Sequence, residues 1–287
     1  MPSPDVPSRI LRRDPVQVVA VTGGKGGVGK STLTINLGIA SAAAGRRVVL
    51  LDGDVGLANA DVLLGITPRR TLADLVLGQR TLDEVLTEVR PNFSMVAGAS
   101  GVMPLADLDE GGHVGLVRAF SDLTVDLDLM LVDTAAGISN GVMQLVQAAQ
   151  HVLVVVCEDP ASVTDAYAVI KVLSRNHGVR HFRVVTNMTQ EPMAGARLFA
   201  ALQRVTSRFL DVVLEHAADI PADDLLRRAV REQRPVVEAF PGSDAAQAIR
   251  RLAVAIRGWE ARESRGNIGF FAERVVRPAP PRLQVVR

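Results

Sequence analysis

Ten residues near the start of the chain limit its fold more than any others. Residues 23–32 read Gly-Gly-Lys-Gly-Gly-Val-Gly-Lys-Ser-Thr. They follow an apolar β-branched run, Val16–Thr22, and open an amphipathic stretch, Ser31–Ala44, which stops at Gly45. A strand, a glycine-rich turn and a helix start aim consecutive backbone N–H groups and a positive helix end into one concavity. Gly24, four intervening residues and then Gly29-Lys30-Ser31 have the spacing of a phosphate-binding loop. In such a loop Lys30 reaches the β- and γ-phosphates, the Ser31 hydroxyl serves Mg²⁺, and Thr32 is placed for the α-phosphate. The expected phosphate-contacting set is Gly24, Lys25, Gly26, Gly27, Val28, Gly29, Lys30, Ser31 and Thr32. The loop pattern does not require Lys25. It is either a solvated charge or a contact for nucleotide phosphate, in its own site or in that of a facing protomer.

The rest of the chain alternates in the same rhythm. Nearly continuous Val/Leu/Ile runs fall at 16–22, 46–52, 93–97, 127–134, 151–157, 182–187 and, less clearly, 211–214. Continuous apolarity means strands covered on both faces, as in a parallel sheet. Helical patterns fill the gaps at 161–176, 191–209, 222–232 and 244–263. The predicted fold is α/β: a doubly wound, mostly parallel sheet flanked by helices. Hydrophobic residues make up 48% of the chain but aromatics only 3%, so the core must be aliphatic. Formal charge is +1, from 32 basic and 31 acidic residues, which argues against binding nucleic acid through bulk charge. The one cysteine, Cys157, excludes an internal disulfide framework and a cluster held by cysteines of one chain. No secretory signal is visible, and no apolar run is long enough to cross a bilayer, so a cytoplasmic protein is expected. Residues 1–15 read as a mobile arm, 16–263 as one domain, and 264–287 as an amphipathic segment with a disordered, proline-containing tail.

Two more strand runs end in acids: Asp52-Gly53-Asp54 after Val48–Leu51, and Asp133-Thr134-Ala135-Ala136-Gly137 after Leu129–Val132. In a parallel sheet these ends gather beside the phosphate loop. Carboxylates there need a cation or a water to serve, although each alone also suits a helix cap. Asp133 and Asp52 are expected near Mg²⁺, directly or through water. Asp54 is expected to orient the attacking water, and the Gly137 N–H to meet the γ-phosphate.

In combination these motifs resemble the MinD/ParA family of P-loop ATPases. Lys25-Gly26-Gly27-Val28-Gly29-Lys30-Ser31-Thr32 is similar to the family's deviant Walker A loop. The resemblance implies that Lys25 crosses an ATP-dependent homodimer interface to the partner's nucleotide. The segment from Asp52 to Gly65 looks like switch I, with Asp54 needed for hydrolysis, and Val132–Ile138 looks like switch II. Asn187 and the Ile220-Pro221-Ala222-Asp223 stretch resemble the parts that hold adenine, which places Asn187, Pro221 and Asp223 in the base site. Together with Asp159–Lys171, the switch segments resemble flagellar-number regulators of the FlhG/FleN group. That resemblance implies ATP and Mg²⁺ as cofactors, slow turnover, and two partners besides a second copy. They are an FlhF-type signal-recognition GTPase and a flagellar master transcription activator. Many relatives carry a glutamine-containing N-terminal motif that stimulates the GTPase. Here the arm offers only Ser8-Arg9-Ile10-Leu11-Arg12-Arg13, a basic segment.

Relatives also end in an amphipathic helix that lies on membrane. Ile268, Phe270, Phe271 and Val275 are the matching residues here, with basic flanks suited to a headgroup surface. The competing expectation is that Phe270 and Phe271 pack back onto the body. Division-site placement, chromosome partition and a small-molecule ligase on the same fold are the rival functions.

Overall fold

The computed structural model describes residues 16–54, 58–98, 115–117, 119–120, 123–260 and 269–271. Within them eight strands form one sheet: β1 (Gln17–Thr22), β2 (Val48–Gly53), β3 (Thr87–Arg90), β4 (Phe93–Val96), β5 (Leu129–Thr134), β6 (His151–Cys157), β7 (His181–Thr189) and β8 (Val213–Pro221). Their order is β3-β4-β2-β5-β1-β6-β7-β8, parallel throughout except for the β3–β4 pair. The chain leaves β1 toward β2 on one side and later reaches β6 on the other. The carboxyl end of β1 is therefore a switch point, where such sheets open a crevice.

The continuous apolar runs are explained by burial on both faces. Alternate side chains divide between two cores: Val18 and Ala20 of β1 join one, Val19 and Val21 the other. Helices Lys30–Ala43 and Asp244–Arg257 cover the second face. Helices Asn140–Gln147, Pro160–His177 and Ala194–Phe209 cover the first.

Some elements differ from expectation. Strand β8 runs nine residues where only 211–214 was legible. Its polar residues break the apolar run, yet two are used inside the fold. His216 Nε2 lies 2.9 Å from Thr186 Oγ1, and Asp219 accepts from Thr189 Oγ1 at 2.8 Å. The antiparallel β3 and the short helices Leu72–Val76 and Leu82–Val85 were not expected. Both helices open with capping boxes, Thr71 with Asp74 and Thr81 with Glu84, so a local signal was present. The last long helix stops at Arg257, short of 263.

In the described state Phe270 and Phe271 follow the second of the two expectations. The structure does not present them to a membrane surface; it buries them to 2% and 1% exposure. Phe270 packs edge-on against Phe120, centroids 5.4 Å apart, and its N–H donates to the Ala148 carbonyl at 3.2 Å. Full burial of such a side chain is favourable by about 1.5–3 kcal/mol, which outweighs leaving two adjacent rings in water. Ile268, Val275, the arm 1–15 and the remainder of the 264–287 segment apart from 269–271 lie outside the described residues. Among the described residues, no helix is long and apolar enough to cross a membrane.

Candidate functional site

A cleft of about 890 Å³ opens at the carboxyl ends of the strands. Its floor is the glycine-rich loop, through Gly26, Gly27, Gly29, Lys30, Ser31 and Thr32. Two glycines are required there. Gly29 caps the helix Lys30–Ala43 at φ 89°, a left-handed conformation, and a Cβ on it would lie 2.4 Å from Asn187 Nδ2. A Cβ on Gly24 would lie 2.3 Å from the Asp165 backbone, so the loop's base sits directly on the helix Pro160–His177. Val28 points into the core, 1% exposed. It contributes through its backbone: its carbonyl accepts from Asn187 Nδ2 at 2.8 Å.

Lys30 is buried, and burial lowers its pKa against the opposing pull of Asp133 and Asp54. Its ammonium donates to the Lys25 carbonyl at 3.4 Å. Behind the loop, Asp52 of β2 and Asp133 of β5 are partners in the same parallel register, each 1% exposed. Burial, then the neighbouring Asp133, pushes the Asp52 carboxyl up to about 8. Burial pushes Asp133 up to about 7, against a hydrogen bond from Ser31 and the charge of Lys30. Asp52 also accepts from the N–H groups of Asp54, at 3.2 Å, and Ala60, at 3.3 Å, so it ties down both ends of the following loop. Asp54 itself lines the cleft.

Two adjacent acids that hold their protons to neutral pH are a deficit of positive charge. The donor set of carboxylate and hydroxyl oxygen suits a hard divalent cation such as Mg²⁺. Among the described residues no group of three or more His, Cys, Asp or Glu could hold a metal ion. A cation here would take its remaining ligands from nucleotide phosphate and water, as Mg²⁺ does.

Some expected residues have other tasks. The Gly137 N–H, expected on the γ-phosphate, donates to the Gly23 carbonyl at 3.2 Å, with Gly137 at φ 98°. Asp223, expected in the base site, also has a structural task. Ile220 and Leu226 line the cleft on either side of it, but neither Pro221 nor Asp223 does. The Asp223 carboxylate caps two helices, accepting from Leu225 N–H at 2.8 Å and Ala245 N–H at 3.0 Å. Asn187 does line the cleft, with its amide spent on the loop. Lys25 turns away from the cleft to an ion pair with Asp159. Sequence reading missed Met188 and, on the helix Asp224–Arg231, Arg227 and Arg231, all lining the cleft. The four-residue spacing of the two arginines was the available signal.

A glycine-rich loop at the switch point of a parallel sheet, with a buried lysine and an acid pair behind it, defines a P-loop nucleotide-binding ATPase. Residues 19–236 match the CobQ/CobB/MinD/ParA nucleotide-binding domain, and the chain belongs to that family. It is 51% identical over 263 residues to the antiactivator FleN of Pseudomonas aeruginosa, covering 91% of this chain and 94% of that protein. It is 30% identical over 236 residues to the flagellum site-determining protein YlxH of Helicobacter pylori, covering 82% and 80%. Among solved structures it resembles the septum site-determining protein MinD of Pyrococcus horikoshii, complexed with Mg-ADP. The TM-score is 0.69 at 26% identity, over 85% of this chain and 97% of that one.

Proposed function

We propose that this protein is an ATP-dependent switch that sets flagellar number or placement, dimerising with ATP and resetting by hydrolysis. The observation that carries it is the buried Asp52–Asp133 pair behind a complete phosphate loop. The 51% identity to an antiactivator of known name supports the flagellar assignment. Ser31 and the two aspartates would hold Mg²⁺, the aspartates directly or through water, and the bound ion supplies Lewis-acid stabilisation of the phosphate oxygens. Lys30 neutralises charge on the β- and γ-phosphates, and Lys25 does so from a second copy. Asp54 orients water for in-line attack on the γ-phosphorus. The bond from that phosphorus to the β-phosphate bridging oxygen breaks. ADP leaves, phosphate keeps the water oxygen, and a proton passes to solvent. Among the described residues that line the cleft, Asp54 is the only carboxylate and there is no histidine, which supports slow turnover. Adenine is assigned to the side of the cleft lined by Asn187, Met188 and Ile220, next to the phosphate loop. Closing the site requires the Gly137 N–H to leave Gly23 for the γ-phosphate.

The ATP-bound dimer is the form that partners read: an FlhF-type GTPase, a flagellar transcription activator and a membrane surface. Membrane contact in which Phe270 and Phe271 take part would need them to leave the core in which they are buried. The test is mass by light scattering in ADP, in ATP with Mg²⁺, and in ATP with Mg²⁺ for Asp54→Ala. A monomer with ADP and a stable dimer for the variant with ATP support the switch. A mass that never responds to nucleotide removes it.

A further inference from the structure

We propose that Asp219 is a positioning residue for the nucleotide cleft: its carboxylate pins a bulge in β7 that turns Asn187 and Met188 together toward the base. The inference deepens the assignment of adenine to that side of the cleft and rests on it. Three observations carry it.

First, β7 is irregular where it meets the cleft. Neighbouring side chains of a regular strand point to opposite faces. Asn187 and Met188 are neighbours, yet both line the cleft. The pairing with β8 shows how this is done. Asn187 stands opposite Ile220 and Thr189 opposite Pro221, so Met188 is an extra residue. A bulge of this kind re-aims a side chain, and it is uncommon between parallel strands. Met188 also takes φ 60°, a left-handed conformation that suits glycine better than methionine. Such a residue persists only where its surroundings hold it.

Second, both ends of the bulge are tied to one atom. Thr189 Oγ1 donates to Asp219 Oδ1 at 2.8 Å, and Thr186 Oγ1 lies 3.3 Å from the same oxygen. Residues three apart in a regular strand face opposite ways, so the bulge is what lets both hydroxyls meet there. His216 Nε2 lies 2.9 Å from Thr186 Oγ1. With that nitrogen donating, the proton of the Thr186 hydroxyl is left for Asp219. Both threonines are buried, so a hydroxyl that loses its acceptor there is costly.

Third, the carboxylate is itself held in place. A Cβ on Gly195 would lie 2.5 Å from the Asp219 Cγ, so the first turn of the helix Ala194–Phe209 rests directly on it. None of Thr186, Thr189 and Asp219 lines the cleft. Asp219 therefore acts on the base through the backbone of the bulge, whereas the phosphates are served by the glycine-rich loop and Lys30.

The experiment is titration calorimetry on the full-length protein with two probes, ADP and inorganic tripolyphosphate, each with Mg²⁺. The second carries no base. Asp219→Ala should weaken ADP binding by about tenfold, the net worth of two hydrogen bonds, and leave tripolyphosphate binding unchanged. Asp219→Asn keeps an oxygen acceptor for both hydroxyls and should restore ADP binding. Thr189→Val keeps the side-chain shape and removes one donor. It should weaken ADP alone by about threefold, and it decides the matter if the alanine variant does not fold. An equal loss for both probes makes Asp219 a general support of the fold and overturns the proposal. Met188→Ala tests the base assignment. ADP binding that Met188→Ala weakens and Asp219→Ala leaves at the parent level overturns the positioning alone. ADP binding that Met188→Ala leaves unchanged removes the base from this side of the cleft, and the positioning falls with it.

Discussion

The two ends of the sheet treat charge in opposite ways. At the amino ends of the strands, cations and carboxylates are matched. Asp128 accepts from Arg47 Nε at 3.0 Å and Nη2 at 2.6 Å, and these hydrogen bonds hold its carboxyl below the usual carboxylate range. Arg183 lies 4.1 Å over the Trp259 ring, 3.0 Å from Glu215 and 3.0 Å from His151 Nδ1. Gln17 ties Arg46 to the end of the last helix, accepting at 2.9 Å and donating to the Ile256 carbonyl at 2.9 Å. At the carboxyl ends, Asp52 and Asp133 are buried side by side with their pKa values pushed up to about 8 and about 7. The first end is mostly paired, although burial and then the like-charged Arg257 lower the pKa of Arg46; the other is held in a state that a bound ligand improves. Shifts driven by burial and a like-charged neighbour, in a cleft, mark a functional site; shifts driven by ion pairing mark a structural one.

Substitutions can break this contrast. The largest effect belongs to the carboxyl end. Lys30→Ala should lower ATP turnover by about 10²–10³-fold, the loss expected when one preorganised charge donor is removed. Its melting temperature should hold or rise, because a buried cation is gone; calorimetry alongside phosphate release checks both. Arg183→Ala tests the other end. It should cost about 1–3 kcal/mol through the unpaired Glu215 and the bared Trp259 ring, which lowers the melting midpoint by ~2–4 °C per kcal/mol. Turnover per folded molecule should be unchanged; a tenfold loss would mean that the ends are coupled.

Asp52→Asn sharpens the contrast through pH. A folded-state pKa above the unfolded one disfavours the fold once the unfolded carboxyl ionises, and the penalty grows from about pH 4 until it is complete above about pH 8. Without nucleotide, the asparagine variant should therefore melt at the parent's temperature near pH 4 and several degrees higher near pH 8. A gain that is the same at both pH values would remove the titration argument. The smallest effect is expected from Asp128→Asn, whose pairing with Arg47 is partly exposed. It should lose ~1 kcal/mol or less, most visibly at low salt, and should leave nucleotide affinity alone.

The phosphate loop was legible because glycine, lysine and serine at fixed spacing have few other uses, and because Val16–Thr22 and Ser31–Ala44 flank it with opposite periodicities. Six of the strands were legible for a related reason: burial on both faces leaves an unbroken apolar run. Strand β8 escaped because Glu215, His216 and Asp219 interrupt its run, and only the tertiary contacts of His216 and Asp219 show why they are tolerated. The capping task of Asp223 was not legible because a helix cap and a ligand contact ask for the same side chain; its bonds to the Leu225 and Ala245 N–H groups appear only in the fold. The paired state of Lys25 was out of reach, since Asp159 is 134 positions away. The burial of Phe270 and Phe271 was one of two expectations, and its target, Phe120, carries no sequence mark.

Asp52 and Asp133 stand on the same rung of the ladder between β2 and β5. That places the cation site under the control of strand alignment. Side chains alternate between faces along a strand, so a slip of one residue would turn one carboxylate to the opposite side of the sheet. Ligand binding is then a proofreading step for the sheet: only a correctly aligned molecule gains the stabilisation that Mg²⁺ and nucleotide bring. Loops around the cleft can gain or lose residues without disturbing that alignment, whereas a single-residue deletion within 48–52 would be fatal to it.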